Sequence, residues 1–183
     1  YTLNKHRKTD DYPFGGGVGL IMNIDPIVRA IEAVKETRPS TRSILLSPGG
    51  KSFNQKIAWE LSKEENLTFV CGRYEGVDER VLSFVDDAIS IGDYVLTGGE
   101  LAAAVLTDSI IRLIPGVISD ETSALSDSFQ DNLLSYPIYT RPSDYKGWEV
   151  PEILLSGNQK LIEQWREDKS LERTKKIRPD LLK

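Results

Sequence analysis

The chain has 183 residues, of which 39% are hydrophobic and 28% charged, and its formal net charge at pH 7 is −5. This length and composition suit one globular core, or a core with a small second domain. No apolar run approaches the roughly 18–20 residues needed to cross a bilayer, and the first residues do not read as a signal peptide, so no membrane segment is predicted. The single cysteine, Cys71, excludes an internal disulfide and fits a cytoplasmic location.

Helices and strands are predicted to alternate in the first part of the chain. The hydrophobic pattern predicts, after a glycine-rich loop over residues 1–19, helices over residues 25–37, 53–62 and 100–113 and strands over 43–46, 67–71 and 88–91. Asp25 is the predicted N-cap of the first helix, with Pro26 at its first position. The turn residues 47–50 are predicted to end the first strand, whereas residues 81–85 fit a helix or a strand. This alternation predicts an α/β fold with a mostly parallel sheet.

The second part of the chain has a different composition. Residues 118–136 are rich in Ser and Asp and have few apolar anchors near their start, which predicts a flexible linker between two domains. Residues 137–183 begin with several prolines and continue into a predicted helix near 157–168 and a basic tail. We therefore expect a first domain over residues 1–117 and a small helical domain over 137–183.

Charge is unevenly distributed along these segments. Residues 1–59 carry 9 Lys and Arg against 5 Asp and Glu, residues 60–131 carry 4 against 15, and residues 132–183 carry 10 against 8. An acidic middle is therefore flanked by two mildly basic ends. Phosphate contacts need local Lys and Arg rather than a basic total, so a nucleic-acid partner is compatible with this pattern. Charge alone favours the alternative that these residues are simply solvated surface.

Several kinds of active site are excluded by the motifs. The chain has no P-loop and no G-x-G-x-x-G after a strand. The run Gly15–Gly19 alone fits a flexible turn better than a phosphate-binding loop. One histidine and one cysteine cannot build a zinc site or a Ser-His-Asp triad, and His6 lies in a polar segment where we expect it at the surface. Any chemistry must come from carboxylates, arginines, backbone amides and a bound cofactor.

A series of motifs, taken in order, resembles one family over essentially the whole chain. The segments that carry this resemblance are residues 14–19, 47–48, 71–80, 90–101, 114–116, 127–129 and 139–142. Their order is similar to that of the bacterial tRNA (guanine-N1)-methyltransferases of the SPOUT superfamily, of the TrmD type. The resemblance implies S-adenosylmethionine-dependent methylation of N1 of the guanosine immediately 3′ of the anticodon, at position 37 of tRNA.

The resemblance also implies an architecture. It implies a SPOUT-type parallel sheet with a trefoil knot, although chains as a rule are not threaded. It further implies a small C-terminal helical domain that binds tRNA, a further strand and helix upstream of Tyr1, and a cytoplasmic homodimer with its active site at the subunit interface. The chain departs from the family pattern at two places. Leu45 and Gly49 stand where the family has Tyr and Gln, and Ala102 stands where it has Pro. These departures affect only details of the adenosine pocket.

Cofactor contacts implied by the resemblance lie at strand ends. They are Leu45, Leu46, Pro48, Gly72, Glu75, Ile91, Gly92, Asp93, Tyr94, Val95, Leu96, Gly98 and Gly99. S-adenosylmethionine carries no phosphate, so it needs backbone amides and carbonyls, which glycines leave accessible. The alternative is that these glycines only form tight turns of the fold.

By the same resemblance, Glu75 corresponds to a carboxylate near the cofactor's amino group. Whether a Mg²⁺ ion binds beside it stays open, and no metal site is predicted. The alternative for its neighbours is a plain ion-pair cluster of Arg73, Asp78, Glu79 and Arg80.

Two catalytic residues follow from the same resemblance, Asp127 as general base and Arg112 as the contact to guanine O6. Guanine N1 carries a weakly acidic proton, which a carboxylate within hydrogen-bond reach can accept. As this proton leaves, negative charge spreads onto O6, where a guanidinium stabilises it. The alternatives are that Asp127 is a solvated linker residue and that Arg112 only complements the dipole at a helix C-terminus.

The basic ends of the chain are expected to hold tRNA phosphates. The residues concerned are Lys5, Arg7, Lys8, Arg141, Lys160, Arg166, Lys169, Arg173, Lys175, Lys176 and Arg178. Two rival functions stay open: a non-catalytic module that docks RNA or a nucleotide, and a SPOUT relative that acts on a 2′-hydroxyl or on ribosomal RNA. Asp127 and Arg112 argue against the first rival, and residues 127–129 and 139–142 argue against the second.

Overall fold

The structure is a computed structural model that describes residues 1–117 and 127–183. The chain divides into two compact units, residues 1–119 and 120–183. Residues 118–126, the first part of the predicted linker, lie outside the described residues.

Helices and parallel strands make up the first unit. In chain order they are β1 (Asp10–Asp11), β2 (Ile21–Met22), α1 (Ile24–Thr37), β3 (Thr41–Ser52), α2 (Gln55–Leu61), β4 (Asn66–Cys71), a 3₁₀ helix (Glu79–Ser83), β5 (Asp87–Ser90) and α3 (Glu100–Ile111). The main sheet has the order β4-β3-β5, and β3 is parallel to both neighbours. The predicted α/β class with a parallel sheet is confirmed.

The central strand β3 is the most buried element of the first unit. Ser43, Ile44, Leu45 and Leu46 are all less than 8% exposed, as expected for a parallel strand covered on both faces. The buried hydroxyl and backbone N–H of Ser43 both donate to Asp86 Oδ2 at 2.7 Å. This carboxylate therefore satisfies polar groups that burial would otherwise leave costly.

Helices of the first unit pack through apolar residues at helical spacing. Ile27 and Ile31 of α1 form a core cluster with Val81 of the 3₁₀ helix. Helices α2 and α3 contact each other, and the buried residues on their inner faces are Ile57, Ala58, Leu61, Ala102, Leu106 and Ile110. The three predicted helices of this unit are therefore confirmed, with bounds shifted by one or two residues.

The predicted end of the first strand is wrong. Strand β3 continues to Ser52, and Leu46 and Lys51 both pair with Ile89 of β5. Residues 47–50 therefore bulge out of the ladder, after which Ser52 pairs with Ser90. Turn residues interrupt pairing locally, but the neighbouring strand offers a partner on both sides of the bulge, so the strand resumes.

Smaller corrections concern the ends of elements. Helix α1 begins at Ile24 with Asn23 as its N-cap, so Asp25 lies in its first turn, where its carboxylate pairs with Arg29 at 2.9 Å. The ambiguous segment 81–85 overlaps the 3₁₀ helix Glu79–Ser83 only as far as Ser83. Asp78 caps this 3₁₀ helix by accepting a hydrogen bond from the Arg80 N–H. The predicted loop over residues 1–19 contains the short strand β1, paired with β2.

Helices and one hairpin make up the second unit. Its elements are β6 (Asp144–Tyr145), β7 (Trp148–Glu149), α4 (Glu152–Leu155), α5 (Gln159–Ile177) and a 3₁₀ helix (Pro179–Leu182). The predicted helix near 157–168 ends nine residues too early, because α5 continues to Ile177, through most of the expected basic tail. Its last turns carry buried hydroxyls instead of an apolar stripe: Thr174 accepts from the Leu134 N–H at 2.9 Å, and Ser170 donates to the Leu134 carbonyl.

The described part of the predicted linker, residues 127–136, forms a closed loop. Ser128 Oγ accepts a hydrogen bond from the Ser135 N–H at 3.0 Å, and the Phe129 N–H donates to the Leu133 carbonyl at 2.7 Å. Arg173 of α5 also donates to the Ser135 carbonyl. Within the second unit this segment is therefore attached to α5 by backbone contacts.

Candidate active site

A cavity of about 330 Å³ lies where the bulge of β3 meets the loops after β4 and β5. Parallel strands bring their carboxyl ends to one edge of a sheet, which is where open α/β folds bind ligands. The volume falls within the range of small-molecule sites. Its lining comprises Ser47, Pro48, Gly72, Arg73, Tyr74, Glu75, Gly76, Ile89, Ser90, Ile91, Gly92, Tyr94, Val95, Leu96, Thr97, Gly98, Gly99 and Ala102.

The structure brings ten of the thirteen predicted cofactor residues into this lining, from Pro48 to Gly99. The other three lie elsewhere. Leu45 and Leu46 are buried in β3, at 3% and 7% exposure, and Asp93 is an exposed residue outside the lining. Some lining residues, such as Arg73 and Thr97, are not among the predicted ones, but they are neighbours of predicted residues in the chain. The strand-end loops, taken as whole segments, would have identified them.

Main-chain contacts fix the wall of the cavity between β4 and α3. The Gly99 N–H donates to the Gly72 carbonyl at 2.9 Å, and Arg73 pairs with Gly98 in an isolated antiparallel bridge. A Cβ placed on Gly99 would lie 2.8 Å from Cys71 Cα, a separation that real side chains do not reach. Glycine is therefore required here so that the first turn of α3 can approach the end of β4.

Hydrogen bonds hold the loop after β5 in a tight turn. Ser90 Oγ lies 3.2 Å from both the N–H and the carbonyl of Gly92, accepting from the first and donating to the second. The Tyr94 N–H donates to the same carbonyl at 3.0 Å, and the Tyr94 hydroxyl donates to the Ile91 carbonyl at 3.4 Å. This turn presents the Tyr94 ring and main-chain groups to the cavity, a combination suited to binding a flat heteroaromatic ring with polar edges.

An ion pair joins the loop after β4 to the start of α3 at the cavity. Arg73 Nη2 lies 2.7 Å from Glu100 Oε1, and both side chains are more than half exposed. The hydrogen bond from the backbone N–H of Glu100 to its own carboxylate and that from Arg73 lower the pKa of Glu100, so the pair is charged at neutral pH. Arg80 pairs instead with Asp78 at 2.7 Å, so in place of the single cluster considered as an alternative the structure has two separate ion pairs.

The Cys71 thiol is not activated. Burial and the nearby Glu100 carboxylate raise its pKa, which keeps the thiol protonated at neutral pH. Because the thiolate is the reactive form, the structure gives no support to a covalent mechanism through this residue.

Glu75 is exposed and lies beside the glycine-rich loop. Its N–H donates to the Leu20 carbonyl at 3.1 Å, which attaches residues 15–20 to the cavity rim. Within residues 1–117 and 127–183, no group of three or more His, Cys, Asp or Glu side chains could hold a metal ion.

The two predicted catalytic residues belong to different compact units. Arg112 is the exposed C-cap of α3 in the first unit. Asp127 is half-buried at the start of the closed loop in the second unit. Their roles stay predictions.

Basic side chains of the second unit divide into two groups. Arg166 stacks on Tyr136, Lys169 pairs with Glu172, and Arg178 pairs with Asp180. The others named for phosphates in this unit are Arg141, Lys160, Arg173, Lys175 and Lys176, and all five are exposed. Of these, Arg173 also donates to the Ser135 carbonyl.

Comparison with known proteins gives matches over the whole chain. The family described as tRNA (Guanine-1)-methyltransferase TrmD matches residues 1–183. The chain is 59% identical to a tRNA (guanine-N(1)-)-methyltransferase of Bacteroides thetaiotaomicron and 60% identical to one of Christiangramia forsetii, each over 100% of this chain and 81% of the relative. It is 54% identical to the protein of the same name from Listeria monocytogenes, over 100% of this chain and 76% of the relative. As for membranes, none of the helices described is both long and apolar enough to span one.

Proposed function

The chain belongs to the tRNA (guanine-1)-methyltransferase family, and on that premise we propose that it methylates N1 of the guanosine immediately 3′ of the anticodon in tRNA. The methyl donor is S-adenosylmethionine. The observation that carries the proposal is the cavity at the carboxyl edge of the parallel sheet, since ten residues assigned to the cofactor by family resemblance converge on it.

The residues of this cavity fit the cofactor. Its walls combine apolar side chains with main-chain groups of Gly72, Gly92 and Gly98, and the close approach at Gly99 leaves no room for a Cβ. An adenine ring needs an apolar slot with backbone donors and acceptors at its edge, and these walls supply both. The cofactor supplies an electrophilic methyl group on a positively charged sulfur.

Asp127 and Arg112 act on the guanine in this proposal. The Asp127 carboxylate accepts the proton of N1, which frees the N1 electron pair for attack on the methyl carbon. Arg112 donates hydrogen bonds to O6 and stabilises the negative charge that builds there. Support comes from their places in the family motifs and from the need of this chemistry for one base and one cation.

A second copy of the chain completes the site in this proposal. Leu101 and Val105, four residues apart on one face of α3, are 65% and 46% exposed, and Val95 of the adjoining cavity wall is 86% exposed. Contiguous exposed apolar side chains of this kind mark interaction surfaces. We assign this surface to the homodimer contact, so that α3 and the cavity wall lie at the subunit interface.

The finer architecture of the family is part of the same proposal. The loops after β4 and β5 form a trefoil knot, and residues 137–183 act as a tRNA-binding domain on which the exposed cations Arg141, Lys160, Lys175 and Lys176 hold phosphates. The enzyme works in the cytoplasm, where tRNA is modified. A Mg²⁺ ion beside Glu75 is tested by assaying transfer with and without a chelator.

Methyl transfer to tRNA tests the proposal. Two unmodified transcripts that differ only by guanosine or adenosine at position 37 are incubated with the enzyme and the cofactor labelled in its methyl group. Label should enter only the guanosine transcript. Equal labelling of both transcripts would show that the target lies elsewhere, and no labelling of either would remove the proposed activity.

A further inference from the structure

Two aromatic side chains stand side by side on the hairpin of the second unit. Tyr145 of β6 and Trp148 of β7 are direct cross-strand partners, joined by the two-residue turn Lys146-Gly147. Both turn residues have positive φ, 57° and 83°, the geometry that matches the twist of a hairpin. Partners across a ladder point to the same face, so the two rings share one face of the hairpin.

The hairpin is held in place by hydrogen bonds of its own. Asp144 Oδ1 accepts from the Gly147 N–H at 2.9 Å, and the Val150 N–H donates to the Ser143 carbonyl at 2.8 Å beyond the paired residues. The two rings are therefore presented on a defined backbone.

Neither ring contributes its surface to the core. Trp148 is 82% exposed and Tyr145 is 61% exposed, although tryptophan is on average among the more buried residues. The opposite face carries Asp144 and Glu149, two like charges that are also cross-strand partners and repel each other. Rings this exposed contribute little to the core, which points to a function of the aromatic face.

The charge on the aromatic face indicates its partner. The Lys146 ammonium lies 5.4 Å from the centre of the Tyr145 ring, so a cation and two rings face solvent together, whereas both carboxylates lie on the other face. Exposed aromatic rings with an adjacent cation are the combination on which unpaired bases of RNA stack, with the cation near the phosphates.

We infer that the face formed by Tyr145, Lys146 and Trp148, here called the hairpin face, stacks against an unpaired base of the RNA substrate. The inference rests on the proposed function, which makes tRNA the substrate. The hairpin face adds affinity through ring contacts, and the basic residues of the second unit add it through phosphates.

Stacking and phosphate contacts differ in their response to salt, which gives the test. The affinity of the full-length enzyme for tRNA is measured over a range of salt concentrations for the parent, Trp148→Ala, Tyr145→Ala and Trp148→Phe. Trp148→Ala should weaken binding by roughly 5- to 150-fold, the range for removing one stacked base contact. The slope of log affinity against log salt should not change, since no cation has been removed.

Conservative and matched variants separate stacking from a fold defect. Trp148→Phe keeps a ring and should retain most of the affinity. Tyr145→Ala tests the same face if Trp148→Ala does not fold. Leu155→Ala, which removes a 62% exposed apolar side chain from the same unit, should leave tRNA affinity unchanged. Tryptophan fluorescence should also fall when the parent binds tRNA, and Trp148→Phe should lose most of this quenching while Trp59 and Trp165 remain.

The outcomes distinguish this inference from the proposed function. If the parent methylates tRNA while Trp148→Ala and Tyr145→Ala bind it as tightly as the parent, the hairpin face is not an RNA contact and only this inference fails. If the variants instead lower the sedimentation mass of the free enzyme, the face is a contact between copies of the chain and the inference is again overturned. If the parent neither binds nor methylates tRNA, the proposed function fails with it.

Discussion

Arg73 and Glu100 lie 2.7 Å apart at the wall of the cavity, although they are 27 positions apart in the sequence. The pair connects the loop after β4 to the first turn of α3, beside the main-chain bridge between Arg73 and Gly98. It thus reinforces the wall proposed to hold the cofactor.

Removing the charge of Glu100 should weaken cofactor binding slightly. In Glu100→Gln the shape is kept but the ion pair is lost, and a pair as exposed as this one contributes little because solvent and salt screen it. We expect the dissociation constant of S-adenosylmethionine, measured by calorimetry, to rise by less than about fivefold. Glu172→Gln breaks a similarly exposed pair with Lys169 in the other unit and is the matched control. A loss of cofactor binding far beyond fivefold would mean that Glu100 contacts the cofactor itself.

Replacing Asp127 should affect the chemical step and spare the cofactor. Asp127→Asn keeps the size of the side chain but cannot accept the N1 proton, so the single-turnover rate should fall by roughly 10²–10⁴. Cofactor affinity should stay within error of the parent. Asp131→Asn, at an exposed position four residues further on, is the control and should keep the parent rate. A parent-like rate for Asp127→Asn would remove the base assignment.

Mixing two inactive variants should restore activity if the site is shared between subunits. Arg112→Ala and Asp127→Ala chains are each expected to be nearly inactive, but a mixed dimer contains one site with both groups intact and one with neither. Co-expression with two different tags isolates the mixed dimer, whose rate should approach half that of the parent. An inactive mixed dimer of confirmed composition would show that both groups act within one chain.

The sequence anticipates those features of the fold that follow from local pattern. Apolar runs between Gly and Pro identify the strands and α3, and their parallel order then places the cavity at the strand ends. The continuation of β3 past residue 50 depends on pairing with Ile89, a tertiary contact that turn residues conceal. The length of α5 was missed because Ser170 and Thr174, which bind the backbone of Leu134, replace the expected apolar stripe. Arg73 pairs with Glu100, which is 27 residues away in the sequence, and no local spacing predicts this pair.

Stability should depend on pH through Asp86. Hydrogen bonds from the hydroxyl and N–H of Ser43 lower the pKa of this carboxyl, so the folded chain binds the proton less readily than the unfolded chain. The stabilisation is therefore complete above the ordinary Asp pKa near 4 and is lost as pH falls through the lower folded value. Asp86→Asn should reduce the free energy of unfolding in urea at pH 7, but by no more than about 1 kcal/mol, because solvent screens this exposed carboxylate.

This difference between the parent and Asp86→Asn should shrink towards zero as the pH of the urea titrations is lowered from 5 to about 2. Ser43→Ala removes one of the two donors and should show part of the same pH dependence. A difference that is equal at pH 7 and at about pH 2 would mean that the carboxylate charge contributes nothing.

We propose above all that the enzyme places one methyl group on N1 of the guanosine 3′ of the anticodon. The most direct measurement is to digest the methylated transcript to nucleosides, identify the product by chromatography and mass spectrometry against standards, and locate it by nuclease mapping. We predict 1-methylguanosine at position 37 and no other methylated nucleoside. A 2′-O-methyl or N2-methyl guanosine, or 1-methylguanosine at a different position, would contradict the account.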